Sequence, residues 1–267
     1  MRNLSVRVTK IACWFGLVSA MILVAPSVSG ASAAGELEKA KDKGRVAFVL
    51  VTEPGAGGVA EAERVIGDAV KRLGKAVMVR LDRRDAENAS LVSKYRLSGP
   101  QIPLVLVFAP NGIVAGGALA AGMTTERLLG MVPTKQEAEL IAVLQSGQAV
   151  LLLASRSGME GEDEALAACK KAMTMAGGKL GMVRVDMADE SEQRFLRKLR
   201  IDAGSGKPVT VVLSNRGQVT GAFEGAADPA VLVQTSAKVG GGCAPGACKP
   251  GAAACAPPAK KLAASQP

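Results

Sequence analysis

Met78-Val79-Arg80-Leu81-Asp82 returns almost unchanged as Met182-Val183-Arg184-Val185-Asp186, 104 positions later (from 78 to 182). A repeat of that length is too long for a solenoid unit and fits a whole small domain. Other landmarks keep step with it. Gly44 answers to Gly147, Pro103 to Pro208 and Gly112 to Gly217, with offsets that stay between 103 and 105.

Outward from the repeated strand, Val46 to Val51 is a continuous valine-rich run, the mark of a strand buried on both faces. Glu53-Pro54-Gly55-Ala56-Gly57-Gly58 reads as a turn. Ala62, Val65, Ile66, Ala69, Val70 and Leu73 then recur at helical spacing, and Gly74 stops the helix. Ala76 to Leu81 is the second strand of a βαβ unit, parallel to the first. A short helix is expected over Asn88 to Tyr95. Leu104 to Phe108 is a third strand, Asn111-Gly112 is a hairpin turn, and Ile113 to Ala115 returns antiparallel. Thr124 caps a last helix that runs through Met131. A leading helix, Glu36 to Lys43, precedes it all.

The second half repeats this order. Lys135 to Leu144 is its leading helix, Val150 to Ala154 its first strand, and Leu166, Cys169, Met173 and Ala176 its helical stripe. Met182 to Val185 is the second strand, Glu192 to Leu199 the short helix and Val209 to Leu213 the third strand. Gly217 turns the hairpin and Asp228 opens the last helix. The fold class is therefore α/β, as two tandem domains, 34–132 and 133–239.

The flanks differ. Arg2, Arg7 and Lys10 precede the apolar run Ile11 to Pro26, and Ala31-Ser32-Ala33 is a small-residue cleavage pattern. Residues 1–33 read as a secretory signal peptide. An uncleaved anchor is the alternative, although the run is shorter than the ~20 apolar residues a span requires. The mature chain is then exported, periplasmic or secreted, with no stable membrane insertion after cleavage. From Gly240 to Pro267 the composition is Gly, Ala, Pro, Lys and Cys, a disordered tail that cannot build a core.

Composition removes several functions. The chain of 267 residues has no histidine, so Ser-His-Asp and Cys-His catalysis and His-based zinc sites are excluded. Losing the three leader cations takes the net charge from +9 to +6. The basic residues are dispersed and carry no interleaved aromatics, so no nucleic-acid partner is expected.

A βαβ unit, a short helix, an X-Pro step before the third strand and a hairpin ending in a helix resembles the thioredoxin fold, twice over. Tyr95-Arg96-Leu97-Ser98-Gly99-Pro100-Gln101-Ile102-Pro103 resembles that family's approach to its cis-proline. Leu199-Arg200-Ile201 and Lys207-Pro208-Val209 match in the second copy. The resemblance implies cis bonds at Ile102-Pro103 and Lys207-Pro208, with a partner-binding groove beside them. It also places a CxxC redox pair between the first strand and the helix. Those positions read Gly55-Ala56-Gly57-Gly58 and Gly158-Met159-Glu160-Gly161, with glycine where each thiol would stand. Dithiol exchange needs an attacking thiolate and a resolving thiol, and neither copy supplies them. No catalytic residue is assigned, and an enzyme is the less favoured reading.

Two alternatives remain open at the level of sequence. Gly55-Ala56-Gly57-Gly58-Val59-Ala60, followed by Asp82 at the end of the next strand, also fits a dinucleotide-binding fingerprint. Against it, the second copy lacks the glycine pattern. Asp82 capping a loop is the simpler account. The cysteines give the other alternative. Cys169 sits on an apolar stripe and reads as a small buried hydrophobe. Cys243, Cys248 and Cys255 have no packing use. They could form a disulfide, link to a partner thiol, or hold Cu(I) or Zn(II) as soft ligands. No resident cofactor is otherwise expected.

Overall fold

The structure is a computed structural model that describes residues 32–238. The expected leader, save Ser32 and Ala33, and the tail with Cys243, Cys248 and Cys255 lie outside the described residues.

The first module begins with α1 (Ala33–Asp42), capped by the Ser32 hydroxyl, which accepts from Gly35 N. It continues through β1 (Val46–Thr52), α2 (Val59–Leu73), β2 (Ala76–Asp82), a 3-10 turn at Ala86–Asn88 and α3 (Ala89–Lys94). β3 (Leu104–Phe108), β4 (Val114–Leu119) and α4 (Thr125–Gly130) complete it. The second module repeats the series: α5 (Lys135–Gln145), β5 (Ala149–Ser155), α6 (Glu162–Met175), β6 (Leu180–Asp186), a 3-10 turn at Glu190–Glu192, α7 (Gln193–Lys198), β7 (Val209–Leu213), β8 (Val219–Glu224) and α8 (Pro229–Ala237).

Each module has its own four-stranded mixed sheet, ordered β2-β1-β3-β4 and β6-β5-β7-β8. β1 runs parallel to β2 and antiparallel to β3, which pairs antiparallel with β4. The second sheet has the same relations. The central strands explain the valine-rich runs. Phe48, Val49, Leu50 and Val51 are fully buried, as are Val150 to Ala154, because helices cover both faces of each sheet. One face of the first sheet packs Phe48, Leu50, Ile66 and Val107 under α2 and α4, and the other packs Val49, Val79, Leu91 and Phe108 under α1 and α3.

Three expectations change. The return strand runs from Val114 to Leu119 and not from Ile113 to Ala115, since Gly116 and Gly117 pair with Val107 and Leu106 despite their poor strand propensity. The Lys207–Pro208 bond is trans; Ile102–Pro103 is the one cis peptide bond among the described residues. Around Lys207 the chain is held otherwise, with Ser205 Oγ accepting from Lys207 N and donating to Lys207 O, and the trans form is the intrinsic preference of an X-Pro bond. The dinucleotide-binding fold is not formed either. β3 opposes β1, so the third parallel strand of a Rossmann half is missing. Asp82 Oδ1 accepts from Arg84 N at 2.8 Å, the loop-capping role, and Asp186 does the same for Ala188 N.

Helix α5 joins the modules. On its own side it packs on β5 and β6. On the other, Asn111 Nδ2 donates to Ala138 O at 3.2 Å and Gln145 Nε2 donates to Val114 O at 3.0 Å, so the first module's hairpin rests against it. Its start is fixed by a capping box between Thr134 and Glu137 and by the buried Glu192, whose carboxylate accepts from Gln136 N at 3.0 Å. Arg194 donates to Val132 O and Lys198 pairs with Glu137, so the linker is fastened to α7.

Candidate functional site

The site expected from sequence lies where the first strand of each module turns into its helix, facing the loop that leads into the third strand. The backbone there is the same in both modules. Gly55 and Gly58 have φ of 83° and 78°, and Gly158 and Gly161 have 77° and 78°. Gly58 and Gly161 are the N-caps of α2 and α6, in left-handed conformation and with no side-chain cap. An added Cβ would meet no atom within 4 Å at any of the four, so space is not the constraint; the dihedral is. Any L-residue, cysteine included, would carry the left-handed penalty. Gly58→Ala and Gly161→Ala are each expected to cost about 1–2 kcal/mol in urea unfolding. A neutral result at both would show that the turn relaxes freely.

Charged side chains brace this turn against the neighbouring loop. In the first module the Glu53 carboxylate accepts from Arg83 Nε at 2.7 Å and from Arg84 Nε at 3.0 Å. Arg83 reaches on to Pro100 O at 2.9 Å. The bond from Arg83, then that from Arg84, holds the Glu53 carboxyl below the ordinary range. The stabilisation from this bracket is therefore present above the usual carboxylate pKa and is lost as the pH falls through the depressed one.

In the second module the charges are exchanged. Arg156 stands at the Glu53 position and donates to Ser205 O at 2.7 Å, while the Arg83 position is the buried Met187. Glu162 takes over the bracing, accepting from Ser155 Oγ, Gly158 N and Arg184 Nη2.

The four residues assigned to partner binding divide into two kinds. Pro103 and Pro208 are buried, and their carbonyls accept from Ala120 N and Gly225 N, so each begins a strand. Ile102 is half-buried and Lys207 exposed, and these two present a surface. Cys169 is fully buried at the position of Ile66, with Thr210 Oγ1 3.8 Å from its sulfur. Burial pushes its thiol pKa up, against the weaker opposite pull of Thr210. It is a packing residue, as the stripe implied.

Sequence reasoning does not reach the Glu53–Arg83 and Arg156–Ser205 braces, because their partners lie 30 and 49 residues apart. The inverted charges at positions 53 and 156 are the only trace they leave in the repeat. Among the described residues no three His, Cys, Asp or Glu side chains converge as a metal site, and no helix is long and apolar enough to cross a membrane.

Both modules have the thioredoxin-like fold. Strand order and register establish it, together with a proline leading into the third strand. No family model and no curated protein matches the chain. Among solved structures, the germline-specific thioredoxin Deadhead of Drosophila melanogaster is similar at 14% identity and TM-score 0.30, over 38% of this chain and 91% of its own. The first two thioredoxin domains of Saccharomyces cerevisiae Eps1p are similar at 12% identity and TM-score 0.27, over 76% of this chain and 95% of theirs. Zinc-bound human ERp44 is similar at 10% identity and TM-score 0.33, over 74% of this chain; the chain spans 57% of ERp44's length.

Proposed function

We propose that this protein is an exported, redox-inactive scaffold of two thioredoxin-like domains, 34–132 and 133–239, that holds polypeptide partners. The observation that carries the reading is the pair of turns at Gly55–Gly58 and Gly158–Gly161, which share left-handed glycines at both ends in both modules and hold no cysteine. Cys169, the one thiol among the described residues, is sealed in the core. What such a fold still offers is the surface of the pre-β3 and pre-β7 loops, where Ile102 and Lys207 lie beside rigidly braced turns. The leader sequence supports export.

Two measurements test this. The mature protein should leave the rate of insulin reduction by dithiothreitol at background. A photo-crosslinker placed at Ile102 or Lys207 should capture protein partners, and should still do so when residues 240–267 are removed. Catalysed reduction, or loss of every partner with the tail, would overturn the reading.

The three tail cysteines favour one other reading, a thiol or metal carrier for which the modules are a handle. Under it, Cu(I) or Zn(II) content, or thiol exchange, disappears when Cys243, Cys248 and Cys255 become serine. Absence of both in the unmodified protein would end it.

A further inference from the structure

The two hairpin turns have unequal company. In the first module Asn111 donates to a helical carbonyl, Ala138 O, and the turn is covered by α5. At the same position of the second module stands Arg216, between Asn215 and Gly217. Among the described residues no helix carbonyl accepts from Arg216; the nearest helical neighbour of the turn is Leu144 of α5, beside Gly217. The turn opens on a cavity of about 730 Å³ at the ends of α5, α6 and α8, larger than the cavity of about 300 Å³ that Asn111 and Gly112 border in the first module. Ala149 and Ser214 form the buried floor, and Met175, 53% exposed, forms an apolar rim.

The charge of this cavity is one-sided. Lys179, Arg216 and Lys238 line it, none is ion-paired among the described residues, and no acidic residue lines it. Residues 1–31 and 239–267 contain neither Asp nor Glu, so neither terminal segment can supply a compensating acid. Lys179 and Lys238 follow the ends of α6 and α8, where a cation offsets the helix dipole. Arg216 lies on a hairpin and has no such role. Together the three make a positive concavity of the size that takes a ligand. The first module differs at two of these positions. Asn111 replaces Arg216 there, and Arg72, at the position of Met175, is paired with Glu126.

We propose that this cavity is a docking site for an acidic polypeptide segment of a partner. The proposal rests on the scaffold reading and names the partner's chemistry. The equivalent turn already holds a polypeptide through a main-chain carbonyl, which points to a chain and not a small anion. Asn215 and Gln218 line the same wall with side-chain amides that bond no other side chain among the described residues, groups suited to peptide N–H and C=O. The basic residues of the tail, Lys249, Lys260 and Lys261, would be repelled, so an acidic partner is the complementary occupant.

The test is fluorescence anisotropy on the full mature chain, with a short labelled peptide of alternating Glu and Leu and a Gln counterpart. The Glu peptide should bind, more weakly as salt rises, and the Gln peptide should not. The K179Q/R216Q/K238Q variant should lose about tenfold in affinity, three exposed charge contacts of up to ~0.5 kcal/mol each. The K71Q/K94Q/K135Q variant has the same net charge and should bind as the parent does. Equal losses in both variants, equal binding of the two peptides, or no binding would overturn the proposal. So would displacement by inorganic pyrophosphate at concentrations well below the peptide's own, which would mark a small-anion site. If crosslinking at Ile102 and Lys207 captures partners while the cavity variant binds the peptide unchanged, the cavity falls and the scaffold stands. If specific peptide binding persists with no partner captured at those loops, the reverse holds.

Discussion

Phe48→Ala is expected to lower stability by about 3–5 kcal/mol, read as a fall in the urea midpoint with the slope unchanged. Phe48 is fully buried in β1, a strand with hydrogen-bonded neighbours on both sides, opposite Met78 on β2 and Val107 on β3. Its ring packs in the cluster that contains Leu50, Ile66, Val107 and Leu128, between the sheet and the helices α2 and α4. The described residues include no tryptophan to fill such a space, so the aliphatic neighbours would have to move inward, and the strand that carries the residue cannot. A loss below about 1.5 kcal/mol would show that the site collapses, and that Phe48 is not the keystone its burial implies.

The same position measures how far the modules have diverged inside. Phe48, Ile66 and Val105 of the first module correspond to Leu151, Cys169 and Thr210 of the second, all of them nearly or fully buried. The second cluster is smaller and holds a hydroxyl whose one side-chain contact is a thiol at 3.8 Å. A weak bond of that kind contributes little, and the apolar pair of the first module fills the same place without a polar group to satisfy.

How much of this could be read from residues alone depends on the range of the interaction. β1 and β5 announce themselves because a strand covered on both faces has to be apolar throughout, and the helices α2 and α6 because their stripes keep the helical period. β4 is foreshortened in the reading because Gly116 and Gly117 have no strand preference of their own. Gly117 is favoured by approach: a Cβ on it would lie 2.7 Å from Leu106 Cδ2 across the strand pair, and Leu106 would have to move. At the site, the glycines are plain in the sequence but their left-handed dihedrals are not, and a turn that merely lacks thiols reads the same as one in which any side chain carries a backbone penalty. The charge braces and the contacts of α5 join residues 27 to 61 positions apart. Local pattern carries no record of such pairs. The cis bond expected at Lys207–Pro208 is not formed: resemblance transfers a motif, while here the Ser205 hydroxyl bonds the backbone N–H and C=O of Lys207.

Gly181→Val should destabilise the protein by about 2–3 kcal/mol, and Val143→Ala on the same chain should recover most of that loss. Gly181 is buried in β6, and a Cβ built on it would fall well inside contact distance of Val143 Cγ1 on α5. Helix and strand are in contact there, and an inserted side chain has to push them apart. The first module solves the same packing with the volumes exchanged. Ala40 on α1 stands at the position of Val143, and Val77 on β2 at that of Gly181, and both border one small cavity between α1 and β2. The double variant of the second module therefore copies the first. Its coupling energy, from the two single variants and the double by urea unfolding, should be favourable by more than 1 kcal/mol. Additive effects would mean that helix and strand separate without cost. The consequence reaches the joint between the modules, because α5 also carries the Asn111 and Gln145 contacts to the first hairpin. If α5 is lifted from β6 by Gly181→Val, amide exchange at Val114 and Asn111 should quicken together with that of β6. In the double variant both should return to the parent's rates.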